Sequence, residues 1–324
     1  MSCIVVTGGG GFIGSHLCEA LLAAGRHVVA LDCFDDFYDP RIKRENIGRC
    51  LEDPRFTLAE GDIRDVEFVD RLFGETNPQA IVHLAARAGV RPSIENPLLY
   101  QDVNVRGTAV LLEAARQHGI WTFISASSSS VYGNNKKVPF AESDNVDFPI
   151  SPYAATKKAG ELLCHSYHHL FDIDMTCLRF FTVYGARQRP DLAIHKFTSL
   201  IEEDKPIPVF GDGGMMRDFT YIDDIIAGVM AAIDRCQGFH IYNLGESRPV
   251  RLADLITELE KALGKKAIID RLPLQPGDVH QTYADVSLAK RDLDYDPATP
   301  IEAGLSKFVE WFRTEKPRQD SAID

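Results

Sequence analysis

The chain has 324 residues, 45% hydrophobic and 25% charged, and a net charge of -12. These values lie in the ordinary globular range and leave no long tract for disorder, while the acidic balance argues against a nucleic-acid partner, whose phosphates call for a basic face. No apolar run approaches the ~20 residues of a membrane span, and the first strand pattern follows the start without a basic leader, so a cytoplasmic protein off the membrane is expected.

The first half alternates short apolar runs with helix-length stretches. Strands are predicted at Ile4 to Thr7, His27 to Asp32, Phe56 to Glu60, Ala80 to Leu84 and Trp121 to Ala126. That rhythm is the mark of βαβ units and predicts an α/β fold with a Rossmann-like, doubly wound parallel sheet. A further strand, Met175 to Phe181, follows a helical run at Tyr153 to Leu170. After Tyr184 the pattern breaks into turns at Ala186 to Pro190, Pro206 to Pro208, Gly211 to Gly214 and Pro273 to Gly277. Such turns suit a smaller lobe, so residues 1–184 are assigned to a nucleotide-binding domain and 185–324 mainly to a substrate lobe, with some segments returning to the first domain. A helix at Leu252 to Leu263 should end at Gly264, and the tail from Thr314 should fray. The seven cysteines are scattered, with no C-x-x-C pair and no metal-like cluster with histidine, which predicts reduced thiols and no metal site.

The run Thr7-Gly8-Gly9-Gly10-Gly11-Phe12-Ile13-Gly14 joins the first strand to a helix predicted over Phe12 to Ala24. Here the backbone must turn sharply, lie against a pyrophosphate without a Cβ in the way and pack the helix on the sheet. Gly8, Gly11, Phe12, Ile13 and Gly14 are therefore candidate dinucleotide contacts. The bland alternative, a glycine-rich loop that binds nothing, is opposed by the strand-loop-helix context and by Asp32 at the end of the second strand. An acid there accepts hydrogen bonds from an adenosine ribose and repels a 2'-phosphate, which predicts NAD over NADP. Arg41, Lys43 and Arg44 are read as solvated charges at a helix start. Asp62 and Ile63, after the third strand, and Leu84, Ala85 and Ala86, after the fourth, are expected beside the adenine and ribose.

Tyr153 and Lys157 stand four residues apart on one face of the predicted helix. A tyrosine with a pKa near ~10 is a poor base at neutral pH. A neighbouring ammonium and a nicotinamide cation favour its phenolate, so Lys157 is the expected tuning group and Tyr153 the proton acceptor. Taken alone, this spacing equally describes a surface pair. The preceding strand, however, ends in Ser127, Ser128, Ser129 and Ser130, whose hydroxyls suit a substrate hydroxyl or ketone.

The stretches T-G-G-G-G-F-I-G-S-H-L, H-L-A-A, S-S-S-S-V-Y-G, Y-A-A-T-K-K-A-G-E, L-R-F-F-T-V-Y-G, R-D-F-T-Y-I-D-D and P-G-D-V run through nearly the whole chain. With them the chain resembles the extended short-chain dehydrogenase/reductase family, and within it the nucleotide-sugar epimerases. The resemblance implies a tightly held NAD, a smaller lobe that grips the nucleotide diphosphate, and a homodimer paired through a helix bundle that includes Tyr153 to Leu170. It further implies that Tyr153 takes the proton of a sugar 4-hydroxyl while carbon 4 gives hydride to NAD, that Lys157 holds the nicotinamide ribose, and that Ser128 relays the proton.

Two departures narrow the substrate. Dehydratases and decarboxylases of the family carry an acid before V-Y-G, where this chain has Ser130, which favours epimerisation. Thr182, where UDP-galactose epimerases usually have Asn, followed by Arg187-Gln188-Arg189-Pro190-Asp191, resembles the UDP-glucuronate 4-epimerases. A uronate carboxylate entering a partly dry cleft is best met by a bidentate, charge-assisted partner. Arg189 is the first choice, with Ser128 and Ser129 as neutral donors and Arg187 and Arg91 as helpers; diphosphate contacts or lobe salt bridges are the alternative roles for these arginines. The resemblance also implies Arg217 at the diphosphate, Asp278 at the nucleotide ribose, Val209 and Phe210 at the base, and Thr282 at a gate beside carbon 2. Gln275 stands where many relatives have Arg. UDP-glucose/UDP-galactose and UDP-N-acetylhexosamine 4-epimerisation stay open as alternatives. A non-catalytic NAD(H) sensor is disfavoured by the intact Tyr153 and Lys157.

Overall fold

Buried apolar runs separated by helix-length segments must pair in parallel, because each helix carries the chain back to the same end of the sheet. The computed structural model describes residues 2–273 and 281–314. Its strands are β1 (Cys3–Thr7), β2 (His27–Asp32), β3 (Phe56–Glu60), β4 (Ala80–His83), β5 (Thr122–Ser128), β6 (Asp174–Phe180), β7 (Thr182–Tyr184), β8 (Ile207–Phe210), β9 (Met216–Tyr221), β10 (Phe239–Leu244), β11 (Pro249–Arg251), β12 (Ile269–Leu272) and β13 (Gln281–Thr282). Seven of them form one sheet in the order β10-β6-β5-β4-β1-β2-β3, with every pair parallel. The order reverses between β1 and β4, and the crevice beyond the strand ends there is where a doubly wound sheet receives a ligand.

Helices cover both faces. The helix Phe12–Ala23 buries Phe12, Ser15, Leu17, Cys18, Leu21 and Leu22 against one face, at the spacing of a single apolar stripe. Leu111, Leu112, Phe73 and Cys164 pack on the other. The helix Pro152–Phe171 starts one residue before the predicted Tyr153: Ser151 caps it, accepting from Ala154 N at 3.1 Å, and Pro152 fits the first turn. The helix Leu252–Leu263 stops at Gly264, whose φ of +67° ends it as expected.

From β7 onward the chain builds a four-stranded sheet around β9, which pairs with β7, β11 and β13, and a separate β8-β12 pair. β10, by contrast, returns to the main sheet beside β6, from Phe239↔Met175 to Leu244↔Phe180. The turn expected at Pro206 to Pro208 is instead the entry into β8. Pro208 is tolerated there because β8 is paired on one side only, by β12. Among the described residues no helix is long and apolar enough to cross a membrane, and all seven cysteines are free. The expected fraying after Thr314 and the calls on Gln275 and Asp278 lie outside the described residues.

Candidate active site

The glycine-rich turn is shaped by contacts that a side chain would destroy. Gly8 has φ +71°, and a Cβ there would stand 2.9 Å from Ala85 N; a Cβ on Gly14 would stand 2.1 Å from the Gly8 carbonyl oxygen. Both positions demand glycine. Gly11 is less constrained, with φ -73° and its nearest Cβ contact at 3.1 Å. It precedes Phe12 and Ile13 as the N-cap of a helix that no side chain caps, so the first amides remain open to an anion. Asp32 is buried, and its carboxylate accepts from Gly10 N at 2.9 Å and Phe34 N at 2.8 Å. It thereby ties the turn to the end of β2 and keeps lone pairs for a ribose.

A buried polar chain fixes the opposite wall. Thr108 donates its hydroxyl proton to the Asn104 carbonyl at 2.6 Å, so it accepts from His83 Nε2 at 2.9 Å. His83 Nδ1 then accepts from the Thr7 hydroxyl at 2.8 Å, and Thr7 Oγ1 accepts from Ala85 N at 3.1 Å. Each proton is used once, which requires a neutral imidazole. Burial, aided by the charge of Lys157, pushes the His83 pKa down to about 3. The chain holds Leu84 and Ala85 directly against Gly8. After β3, the Asp62 carboxylate is taken by Arg64, with Nη2 at 2.6 Å, and the Ile63 side chain is buried against Gly107, so neither side chain is left for the expected cofactor contact. Of the three cations read as solvated, Arg41 and Arg44 pair at the surface with Asp39 and Glu60. Lys43 does not conform: it is buried, donates to the Asp35 carbonyl at 2.7 Å and lies 4.8 Å from the Tyr38 ring centre.

Tyr153 and Lys157 do share a helix face, with the Tyr100 ring set edge-on to Tyr153 at 6.2 Å. Burial pushes the Tyr153 phenol up, opposed by hydrogen bonding with Ser128 and by the charge of Arg189. Lys157 reaches back to β5. Its ammonium donates to the Ala126 carbonyl at 2.7 Å, and burial brings its pKa down to about 8. Ser128 and Arg189 are thus two further groups that favour the phenolate. Within the serine run the duties separate. Ser128 ends β5 and Ser129 opens the 3₁₀ turn after it, whereas Ser127 is withdrawn, donating to Glu161 at 2.6 Å.

The arginines also separate. Arg189 stacks over the Phe37 ring at 5.2 Å and pairs with Asp191, in electrostatic reach of Tyr153. Arg187 does not join it: φ +63° turns the side chain to the helix Phe12–Ala23, where it pairs with Glu19 at 2.6 Å. Arg91 lies over Phe210 at 5.0 Å, bringing two predicted ligand residues together. The Val209 side chain is buried in the core, because strand alternation that exposes Phe210 turns its neighbour inward, so only its backbone can line a base site. Arg217 on β9 pairs in register with Val250 of β11 on one side and Thr282 of β13 on the other, while Thr182 of β7 pairs with Phe219, two residues further along β9.

Two groups behind the site escaped the sequence reading. Glu161 and Arg179 form a buried bidentate pair, 2.8 Å at both contacts, and Arg179 extends to the Tyr132 hydroxyl at 3.0 Å. The signal was present: a single arginine inside the apolar strand Met175 to Phe181 has to be paired. The pair locks the catalytic helix to β6.

A glycine turn at the switch point, an acid closing β2 and a Tyr/Lys pair on the helix beside it define a dinucleotide-binding fold of the extended short-chain dehydrogenase/reductase class. A profile of the GDP-mannose 4,6 dehydratase family matches residues 5–308, and the chain belongs to that family. It is 43% identical over 312 residues to a UDP-glucuronate 4-epimerase of Thermodesulfobacterium geofontis, covering 96% of each chain. The UDP-glucuronic acid 4-epimerase of Bacillus cereus, solved with UDP-glucuronic acid and NAD, superposes with a TM-score of 0.90 at 40% identity, over 96% of this chain and 99% of that one. A UDP-glucose 4-epimerase of Thermotoga maritima, solved with UDP-glucose, superposes with a TM-score of 0.89 at 31% identity, over 96% and 98%.

Proposed function

We propose that the protein is an NAD-dependent isomerase that interconverts UDP-glucuronate and UDP-galacturonate by transient oxidation at carbon 4, rotation of the ketosugar and re-reduction. The observation that carries this reading is the meeting, around Tyr153, of Ser128 and the Arg189 guanidinium. A hydroxyl to be deprotonated is common to every sugar 4-epimerisation, and a carboxylate to be held is what distinguishes a uronate from its neutral counterpart. The tight Gly8-Gly14 turn, which a Cβ at either end would force apart, the open helix start at Gly11 and the Asp32 carboxylate fit a dinucleotide. Bound there, NAD supplies the hydride acceptor for the oxidation and the donor for the reduction.

The chain's own groups do the rest. Tyr153 receives the 4-hydroxyl proton and returns it, with Ser128 bridging the phenol and the sugar oxygen. Lys157, fixed at the Ala126 carbonyl, has two N–H donors left for the nicotinamide ribose. Arg189 binds the sugar carboxylate, with Ser128, Ser129 and Thr182 as the further donors of the sugar site. Arg91 and Phe210 hold the uridine end, Arg217 the diphosphate and Asp278 the ribose. We assign residues 1–184 to the cofactor half and 185–324 mainly to the sugar half. We further propose a homodimer, supported by the exposed Ile94, Leu98 and Leu162 on the helices around Tyr153, and a cytoplasmic location, supported by the free thiols.

The test is to incubate the purified protein with UDP-glucuronate, UDP-glucose and UDP-N-acetylglucosamine and resolve the products, together with the nucleotide released by acid. UDP-galacturonate as the dominant product and NAD(H) as the nucleotide are expected. A preference for either neutral sugar contradicts the uronate assignment.

A further inference from the structure

A uronate epimerase passes through a 4-ketouronate, which is a β-keto acid. When its carboxylate lies so that the C5–C6 bond overlaps the carbonyl π system, that bond breaks and carbon dioxide leaves. The electron pair becomes an enolate over C5 and O4, a proton from water adds at C5, and a 4-ketopentose results. Holding the carboxylate out of that alignment requires a guanidinium that is itself held.

The structure shows how Arg189 is held. A guanidinium has a side edge, Nε with Nη2, and an end edge, Nη1 with Nη2, and each can take a carboxylate. Asp191 occupies the side edge: Arg189 Nε donates to Oδ1 at 3.0 Å and Nη2 to Oδ2 at 2.8 Å. The Phe37 ring lies against the guanidinium face at 5.2 Å, and the same ring is 5.8 Å from Arg87. The backbone enforces the arrangement. Leu192 N donates to the Arg189 carbonyl at 3.1 Å, closing a β-turn with Pro190 second and Asp191 third, so the aspartate folds back onto the arginine. The arginine is the inner partner, with its side chain 17% exposed against 45% for Asp191. An exposed ion pair of this kind contributes little to stability, so its consequence lies in aiming the arginine.

We propose that Asp191 is a positioning residue: by taking the side edge of Arg189 it points the end edge at the sugar carboxylate and suppresses decarboxylation of the ketone. The proposal rests on the uronate reading above. It is tested with the holoenzymes of the wild type, Asp191→Asn, Asp191→Ala and Asp191→Glu, each given UDP-glucuronate and UDP-glucose. The ratio of decarboxylated to epimerised product is read by mass spectrometry, alongside kcat and KM. Asp191→Asn and Asp191→Ala should raise the ratio about tenfold and the KM for UDP-glucuronate severalfold, with a smaller loss on UDP-glucose, and Asp191→Glu should move the ratio back toward wild type. A purely structural role would lower turnover of both sugars and leave the product ratio alone. An unchanged ratio in Asp191→Asn and Asp191→Ala, with a wild type that epimerises UDP-glucuronate, overturns the role of Asp191 and leaves the function standing. A wild type that ignores UDP-glucuronate overturns both.

Discussion

The cofactor crevice and the sugar end of this site are built on different principles. The crevice is made of backbone: Gly8 and Gly14 press against main-chain atoms, and Asp32 and Thr7 serve by accepting from main-chain amides. The sugar end is made of side chains, with Arg189 meeting Phe37 and Tyr153 from distant segments and Asp191 from its own turn. A backbone cradle suits a ligand retained through every turnover. Side-chain charge suits one that must enter, rotate and leave, and it can be re-aimed by a few substitutions.

That contrast can be broken at the seam first. Tyr153→Phe removes only the proton acceptor, so kcat should fall by ~10²- to 10⁴-fold while NAD content and UDP-sugar binding by calorimetry stay close to wild type. A variant retaining more than about a tenth of the rate would show that another group is the base.

At the sugar end, Arg189→Ala should cost about 2 to 5 kcal/mol in kcat/KM for UDP-glucuronate, because a charge loses its partner, and much less for UDP-glucose. Equal losses for the two sugars would move Arg189 from the carboxylate to the diphosphate or the scaffold.

The crevice should respond differently. Gly14→Ala forces a Cβ to within 2.1 Å of the Gly8 oxygen. Separating the helix from the turn should cost about 1 to 3 kcal/mol, with NAD lost on gel filtration and both sugars slowed alike. Retention of full NAD content would show that the cradle is not as rigid as its contacts suggest.

The smallest effect lies outside both regions. Glu246 is buried, and burial reinforced by Asp224 raises its carboxyl from 4.5 to about 7. The folded state therefore holds a proton that the unfolded state has lost between those values, so this stability is present below pH about 4.5 and disappears as pH rises through about 7. Glu246→Gln should raise Tm over wild type at pH 8 and leave it unchanged at pH 4.5; equal shifts at both would assign the effect to packing.

The same contrast governs what could be read from the amino-acid sequence. The strand positions, their parallel pairing, the glycine turn and the stop at Gly264 follow from periodicity and from local turn chemistry, and these were legible. The direction of Lys157, the withdrawal of Ser127 to Glu161, the burial of Lys43 and the turning of Arg187 to Glu19 were not, because each depends on a partner supplied by packing. Val209 could have been caught: in a short strand, the residue beside an outward Phe210 points inward.

The central claim, oxidation and re-reduction at carbon 4 with the hydride kept on one bound cofactor, is tested most directly with UDP-glucuronate carrying deuterium at carbon 4. In ordinary water the UDP-galacturonate formed should retain the label at carbon 4 in full. Product that has exchanged that deuterium for solvent hydrogen would contradict the account, since the hydrogen would then have left as a proton.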